Sequence, residues 1–167
     1  MSTPRRGTAK PPGKLRIIGG DFRRRMLPVL DHPGLRPTPD RVRETLFNWL
    51  GQALHGKQVL DLFAGTGALG FEALSRGAAS VCFVENGRSG QRLIGENMRK
   101  LDAAADTQLL RHDATRLGPW TQAAFGLVFL DPPYGRDLVA PALETLLLGN
   151  WLAEGAVAVV RDDELPR

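Results

Sequence analysis

Residues 59–70 read Val59-Leu60-Asp61-Leu62-Phe63-Ala64-Gly65-Thr66-Gly67-Ala68-Leu69-Gly70, and this stretch decides the fold. The apolar run Val59, Leu60, Leu62 carries one acid, Asp61, and passes through Ala64-Gly65-Thr66-Gly67 into a helical pattern that begins at Ala68. Strand, glycine turn and helix start in that order predict one β-loop-α unit. Gly65 and Gly67 leave the loop without side chains, so a ligand can lie on the backbone where the first helical N–H groups are free.

The alternation continues downstream. A helix over residues 71–75 stops at Arg76-Gly77, a strand covers 80–85, a helix 88–101 (Leu93, Ile94, Met98 and Leu101 inward), and a strand 107–111. Residues 125–130, apolar almost throughout, have the composition of a parallel strand buried on both faces; a helix over 137–148 and a strand over 156–160 follow. The pattern predicts an α/β fold with a doubly wound, mostly parallel sheet, whose ligands sit at the carboxyl ends of the strands. Asp61, Glu85, Asp113 and Asp131 all fall there.

Gly65-Thr66-Gly67-Ala68-Leu69-Gly70 formally satisfies the dinucleotide pattern G-x-G-x-x-G. A pyrophosphate, however, would lie close to the Asp61 carboxylate, with no Lys or Arg in the loop to offset the repulsion. A cofactor with a sulfonium, an ammonium and no phosphate is attracted by the same carboxylate, and S-adenosylmethionine is such a molecule. Asp61, Phe63, Ala64, Gly65, Thr66 and Gly67 are the expected cradle. Glu85, 24 positions after Asp61, stands where an acid closing the second strand accepts from both ribose hydroxyls. Asp113 is placed to accept from an adenine amine or to serve as a turn residue.

Asp131-Pro132-Pro133-Tyr134 closes the strand over 125–130. Tandem prolines hold the chain rigid and donate no backbone hydrogen bond, so the Asp131 carboxylate and the carbonyl near Pro132 become fixed acceptors. An exocyclic amine suits them: accepting from both of its N–H groups draws its nitrogen toward a pyramidal, nucleophilic state. Tyr134 offers a face on which a displaced base stacks, a contact worth about 1–3 kcal/mol. Asp131 also stands ready to take the proton that the amine loses.

The 167 residues suffice for one domain, and no apolar run approaches a membrane span. The basic start is followed by no apolar segment of a signal peptide. One cysteine, Cys82 in an apolar run, excludes an internal disulfide and suits a reducing, cytoplasmic setting; His32, His55 and His112 are dispersed, and no metal site is expected. Charge is unevenly spread. Residues 1–58 hold twelve Lys and Arg against four Asp and Glu, whereas the remainder holds ten against fourteen. A basic extension beside an acidic catalytic body is the pattern of a protein that grips a polyanion.

The expected organisation is a disordered basic tail over 1–14, a hairpin-and-helix extension over 15–55, and a cofactor-binding domain over 56–167. The hairpin places Arg23, Arg24 and Arg25 on its second strand, too many for one core face. The helix after His32–Pro39 begins with Thr38 as N-cap and Pro39 at its first position, buries Val42, Leu46, Trp49, Leu50 and Ala53, and keeps its arginines outward. Arg23, Arg24, Arg25, Arg36, Arg41 and Arg43 are the candidate phosphate contacts.

Residues 59–67 with Asp131–Tyr134 resemble the amino-methyltransferases at large. The narrower match lies in Arg16-Ile17-Ile18-Gly19-Gly20, Gly34-Leu35-Arg36-Pro37-Thr38 and residues 40–50, DRVRETLFNWL. Together these resemble the bacterial 16S rRNA guanine-N2 methyltransferase family. The resemblance implies the class I methyltransferase fold, S-adenosylmethionine as donor with Thr38 added to its site, and a guanine of 16S rRNA in an assembling 30S subunit as substrate of a monomeric enzyme. The family continues beyond its fifth strand with two further strands, and usually carries an acid where Arg161 stands; the chain ending at Arg167 is therefore expected to be a fragment with an uncovered sheet edge. The rival readings are an amino-methyltransferase of DNA adenine or protein glutamine, an NAD-linked oxidoreductase, which Asp61 and the DPPY motif disfavour, and a non-catalytic RNA-binding remnant.

Overall fold

The computed structural model describes residues 13–29, 38–133 and 135–161. The first 12 residues, residues 30–37 with Arg36, and Tyr134 lie outside them. Two short antiparallel strands, β1 (Lys14–Arg16) and β2 (Met26–Pro28), are followed by α1 (Asp40–Leu50) and a single 3-10 turn. The body then runs β3 (Gln58–Leu62), α2 (Ala68–Ser75), β4 (Ser80–Val84), α3 (Arg88–Lys100), β5 (Thr107–Leu110), β6 (Phe125–Leu130), α4 (Val139–Leu148) and β7 (Leu152–Val160). All five strands of the main sheet are parallel, in the order β5-β4-β3-β6-β7. The doubly wound α/β reading is what the chain adopts.

Side chains alternate across a strand, and the two cores divide on that alternation. Val59, Val81, Phe83, Leu127 and Phe129 face a cluster shared with α1, α2 and α3, including Phe47, Phe71 and Ile94. Leu60, Leu62, Cys82, Val84, Val128 and Leu130 face the opposite side, where Ala142 and Leu146 of α4 cover them beside Trp151. Burial pushes the Cys82 thiol up to about 12, consistent with its reading as a core residue. Ile17 and Leu27 of the hairpin and Phe47 of α1 belong to the first cluster, with the Phe47 and Phe129 rings 5.6 Å apart. Hairpin and helix thus share one core with the sheet.

Three local expectations are corrected here. The hairpin strands are shorter than read, so Arg23, Arg24 and Arg25 lie in the connection before β2, where Arg24 takes a positive φ of 70°. The helix begins one residue later: Pro39 is the N-cap, extended at ψ 151°, and no side chain caps the helix. Its inward face is rotated as well. Arg43, Phe47 and Leu50 are buried, with Leu54 beyond them, while Trp49 is 75% and Val42 53% exposed. A guanidinium occupies the first position of that face, and its charge hides the stripe from a hydrophobicity reading.

What makes the burial of Arg43 tolerable is Glu72 on α2, itself wholly buried. Arg43 Nη1 lies 3.2 Å from Glu72 Oε1 and Arg76 Nε lies 2.8 Å from Oε2. The Ile18 and Gly19 N–H groups donate to the same two oxygens at 2.9 Å each. Arg43 is therefore withdrawn from the candidate phosphate contacts. Removing one partner of a buried pair leaves an uncompensated charge at a cost of about 3–5 kcal/mol. Arg43→Ala should accordingly lower unfolding stability by roughly that much in denaturant titration; a variant as stable as the parent would contradict this role.

Candidate active site

The chain leaves β3 for β4 and β5 on one side of the sheet and returns through β6 and β7 on the other. Between β3 and β6 the strand order reverses, and at such a switch point the loops diverge and leave a crevice. Leu62 pairs with Leu130, so Phe63 and Asp131 leave the sheet side by side. A cavity of about 640 Å³ opens there. The glycine loop from Phe63 to Thr66, the start of α3, residues 112–115 and Asp131-Pro132-Pro133 line it, with Asp61 and Glu85 in its wall. Leu15, Val29 and Thr38 line it too, so the N-terminal elements contribute part of the wall.

Asp61 is 2% exposed and its Oδ2 accepts from the Gly70 N–H at 3.0 Å. Burial raises its carboxyl well above the ordinary range; the Gly70 bond opposes this, and the charges of Asp131 and Glu85 add to it. Glu85 is also raised, chiefly by burial, although its Oε1 accepts from Gly65 N–H at 2.8 Å and its Oε2 from Gly87 N–H at 3.0 Å. Each carboxylate oxygen has two lone pairs, so Glu85 can brace the glycine loop and still accept from a ligand. Asp113 differs: hydrogen bonds from the Thr115 N–H and hydroxyl lower its carboxyl. Asp61 feels the charges of Asp131 and Glu85 across the cavity, and a cationic ligand relieves that repulsion while a pyrophosphate adds to it. The residues present therefore fit a sulfonium- and ammonium-bearing cofactor.

The two loop glycines do different things. Gly65 has φ +59°, and a Cβ there would meet nothing within 4 Å, so its bare backbone faces open space in the cavity. Gly67 has φ +83°, and its Cβ would lie 2.7 Å from the Phe71 ring and 3.1 Å from that of Phe83. Thr66 and Ala68 on either side of Gly67 line the cavity, and Gly67 itself lets the loop turn down onto two aromatic rings. Phe63, a bulky residue at φ +57°, is a backbone outlier of the kind that clusters at functional sites.

Of the remaining sequence candidates, Thr38, Ala64, Thr66, Pro132 and Pro133 line the cavity. Arg23, Arg24, Arg25 and Arg41 are exposed away from it, and Arg25 Nη2 donates to the Lys100 carbonyl at 2.8 Å. Sequence reasoning missed Leu15 and Val29, whose place in the wall depends on the tertiary docking of the hairpin. It also missed one partner of Asp131: Arg161, immediately after β7, brings Nη1 to 3.4 Å from Asp131 Oδ2. In the sequence Arg161 stands out only as a departure from the family pattern.

The parallel sheet, the glycine loop at its switch point and the acid-proline turn opposite define a class I S-adenosylmethionine-dependent methyltransferase fold. The chain belongs to the family described as "Conserved hypothetical protein 95", whose model matches residues 15–166. It is similar to "Ribosomal RNA small subunit methyltransferase D" of Escherichia coli K12, 43% identical over 151 residues that cover 90% of this chain and 76% of that protein. The protein of the same description from Haemophilus influenzae is 41% identical over 155 residues, covering 91% and 80%. Among solved structures, yhhF from Escherichia coli superposes with a TM-score of 0.77 at 43% identity, covering 89% of this chain and 81% of that one. HI0767 from Haemophilus influenzae does so at 0.76 and 38%, covering 92% and 86%. A Pyrococcus abyssi tRNA methyltransferase solved with S-adenosyl-L-homocysteine shares the fold alone, at 17% identity and a TM-score of 0.60.

The glycine geometry separates ligand clearance from packing. Gly65→Ala should cost about 1 kcal/mol for its left-handed backbone and weaken binding of S-adenosylmethionine, whereas Gly67→Ala should chiefly destabilise the fold. Calorimetric titration beside denaturant unfolding checks both; equal loss of stability in the two variants would contradict the division.

Proposed function

We propose that this protein is a monomeric cytoplasmic enzyme that transfers a methyl group from S-adenosylmethionine to the exocyclic N2 amine of a guanine in 16S rRNA, within an assembling small subunit. The observation that carries the proposal is the convergence of Asp131-Pro132-Pro133 and the glycine loop on one cavity at the switch point. The names of its relatives support rRNA as the substrate class.

Asp61, Glu85 and the loop from Phe63 to Thr66 are the residues to hold the cofactor, with Asp113 and Thr38 at its margins. When bound, it supplies an electrophilic methyl group carried on a sulfonium. The chain's own contribution is placement. Pro132, buried, and Pro133 fix the turn, and Asp131 accepts hydrogen bonds from the target amine and takes its departing proton. Tyr134 would carry the stacked base. The exposed Arg23, Arg24, Arg25 and Arg41, with Arg36, suit phosphate contacts, which fix register without reading sequence.

The test is methyl transfer from labelled S-adenosylmethionine to small subunits that lack the modification. Asp131→Ala should lower the rate by roughly hundredfold or more and leave cofactor affinity intact. Near-normal turnover in that variant would remove Asp131 from the chemistry.

A further inference from the structure

The polar chain that starts at Glu72 continues past Arg43. Arg43 Nε donates to the Thr38 carbonyl at 3.3 Å, and the Thr38 hydroxyl accepts from Arg161 Nη1 at 3.2 Å. The same Nη1 lies 3.4 Å from Asp131 Oδ2. Arg161 is held by the sheet, since its backbone N–H donates to the Leu130 carbonyl at 3.0 Å, continuing the register in which Leu130 pairs with Val160. Thr38 and Asp131 line the cavity, but Arg161 does not; its side chain, 34% exposed, stands behind the carboxylate.

We propose that Arg161 is a positioning residue for methyl transfer, fixing the Asp131 carboxylate against Thr38. An aspartate's terminal torsion is broad and twofold, so a carboxylate at a loop start needs an outside contact to keep one orientation. A guanidinium on Oδ2 supplies such a contact. It also sets a positive charge beside Asp131, whose own charge is felt by Asp61 across the cavity. Through Thr38 and Arg43 the catalytic turn is tied to the N-terminal elements that line the same cavity. The inference rests on the reading of Asp131 as the acceptor of the target amine.

Arg161→Met and Arg161→Lys, each in the full chain, test it by single-turnover methyl transfer to unmodified small subunits, by cofactor binding and by thermal unfolding. The methionine variant should transfer about tenfold more slowly, as expected for a lost charge-assisted contact, with cofactor affinity and substrate KM unchanged. The lysine variant should regain most of the rate, because one ammonium donor can meet Oδ2. An unchanged rate in Arg161→Met overturns the inference, as does an equal loss in both variants accompanied by a lowered Tm, which would mark a structural residue. Asp131→Ala run alongside separates the two levels. If it is inactive while Arg161→Met is fully active, only the role of Arg161 falls; if it is active, the reading of Asp131 falls and this inference with it.

Discussion

The Glu72 carboxylate is the constraint on which the rest of the structure depends. It sits wholly buried on α2, the helix that directly follows the glycine loop, and takes two backbone donors from the hairpin and one guanidinium each from Arg43 and Arg76. A buried ion pair gains little net stability over apolar packing. What it does impose is one docking geometry, since any other would leave charges buried and unpaired. Ser75, on the same helix, reinforces the arrangement, its backbone carbonyl accepting from Asp21 N–H at 2.7 Å and its hydroxyl from Phe22 N–H at 2.8 Å. The position of Leu15, Val29 and Thr38 in the cavity wall follows from this docking.

The second constraint is electrostatic. A parallel sheet brings its strand ends to one edge, and here those ends carry acids. Burial raises both Asp61 and Glu85, and Asp61 also feels the charges of Asp131 and Glu85, a repulsion that a positive charge relieves. Arg161, outside the wall, is set against Asp131.

The parallel sheet and its strand ends were legible in the sequence because they rest on short-range signals. Residues 125–130 form an apolar run of strand length, the glycines mark the turn after β3, and an acid follows each core strand or stands near its end. Helix α1 was misread for a physical reason: the buried face starts with an arginine, and Val42 and Trp49, apolar and exposed, mimic a stripe on the wrong side. Nothing in a periodicity argument distinguishes a guanidinium that meets a buried carboxylate 29 positions away from one that meets solvent. The same limit applies in part to Gly67: Phe71 is one turn on in the same helix, but Phe83 is brought beneath it only by the docking of α2 on β4. Pairings across long separations, Arg161 with Asp131 among them, are set by topology and not by local pattern.

The central claim is that the acid-proline turn and the glycine loop together methylate the N2 amine of a guanine. Nucleoside analysis of rRNA from small subunits treated with the enzyme and labelled S-adenosylmethionine tests it most directly. The account predicts label in N2-methylguanosine alone, at one position of the rRNA. Label in a methylated adenine or at a ring carbon, or none in the RNA at all, would contradict it.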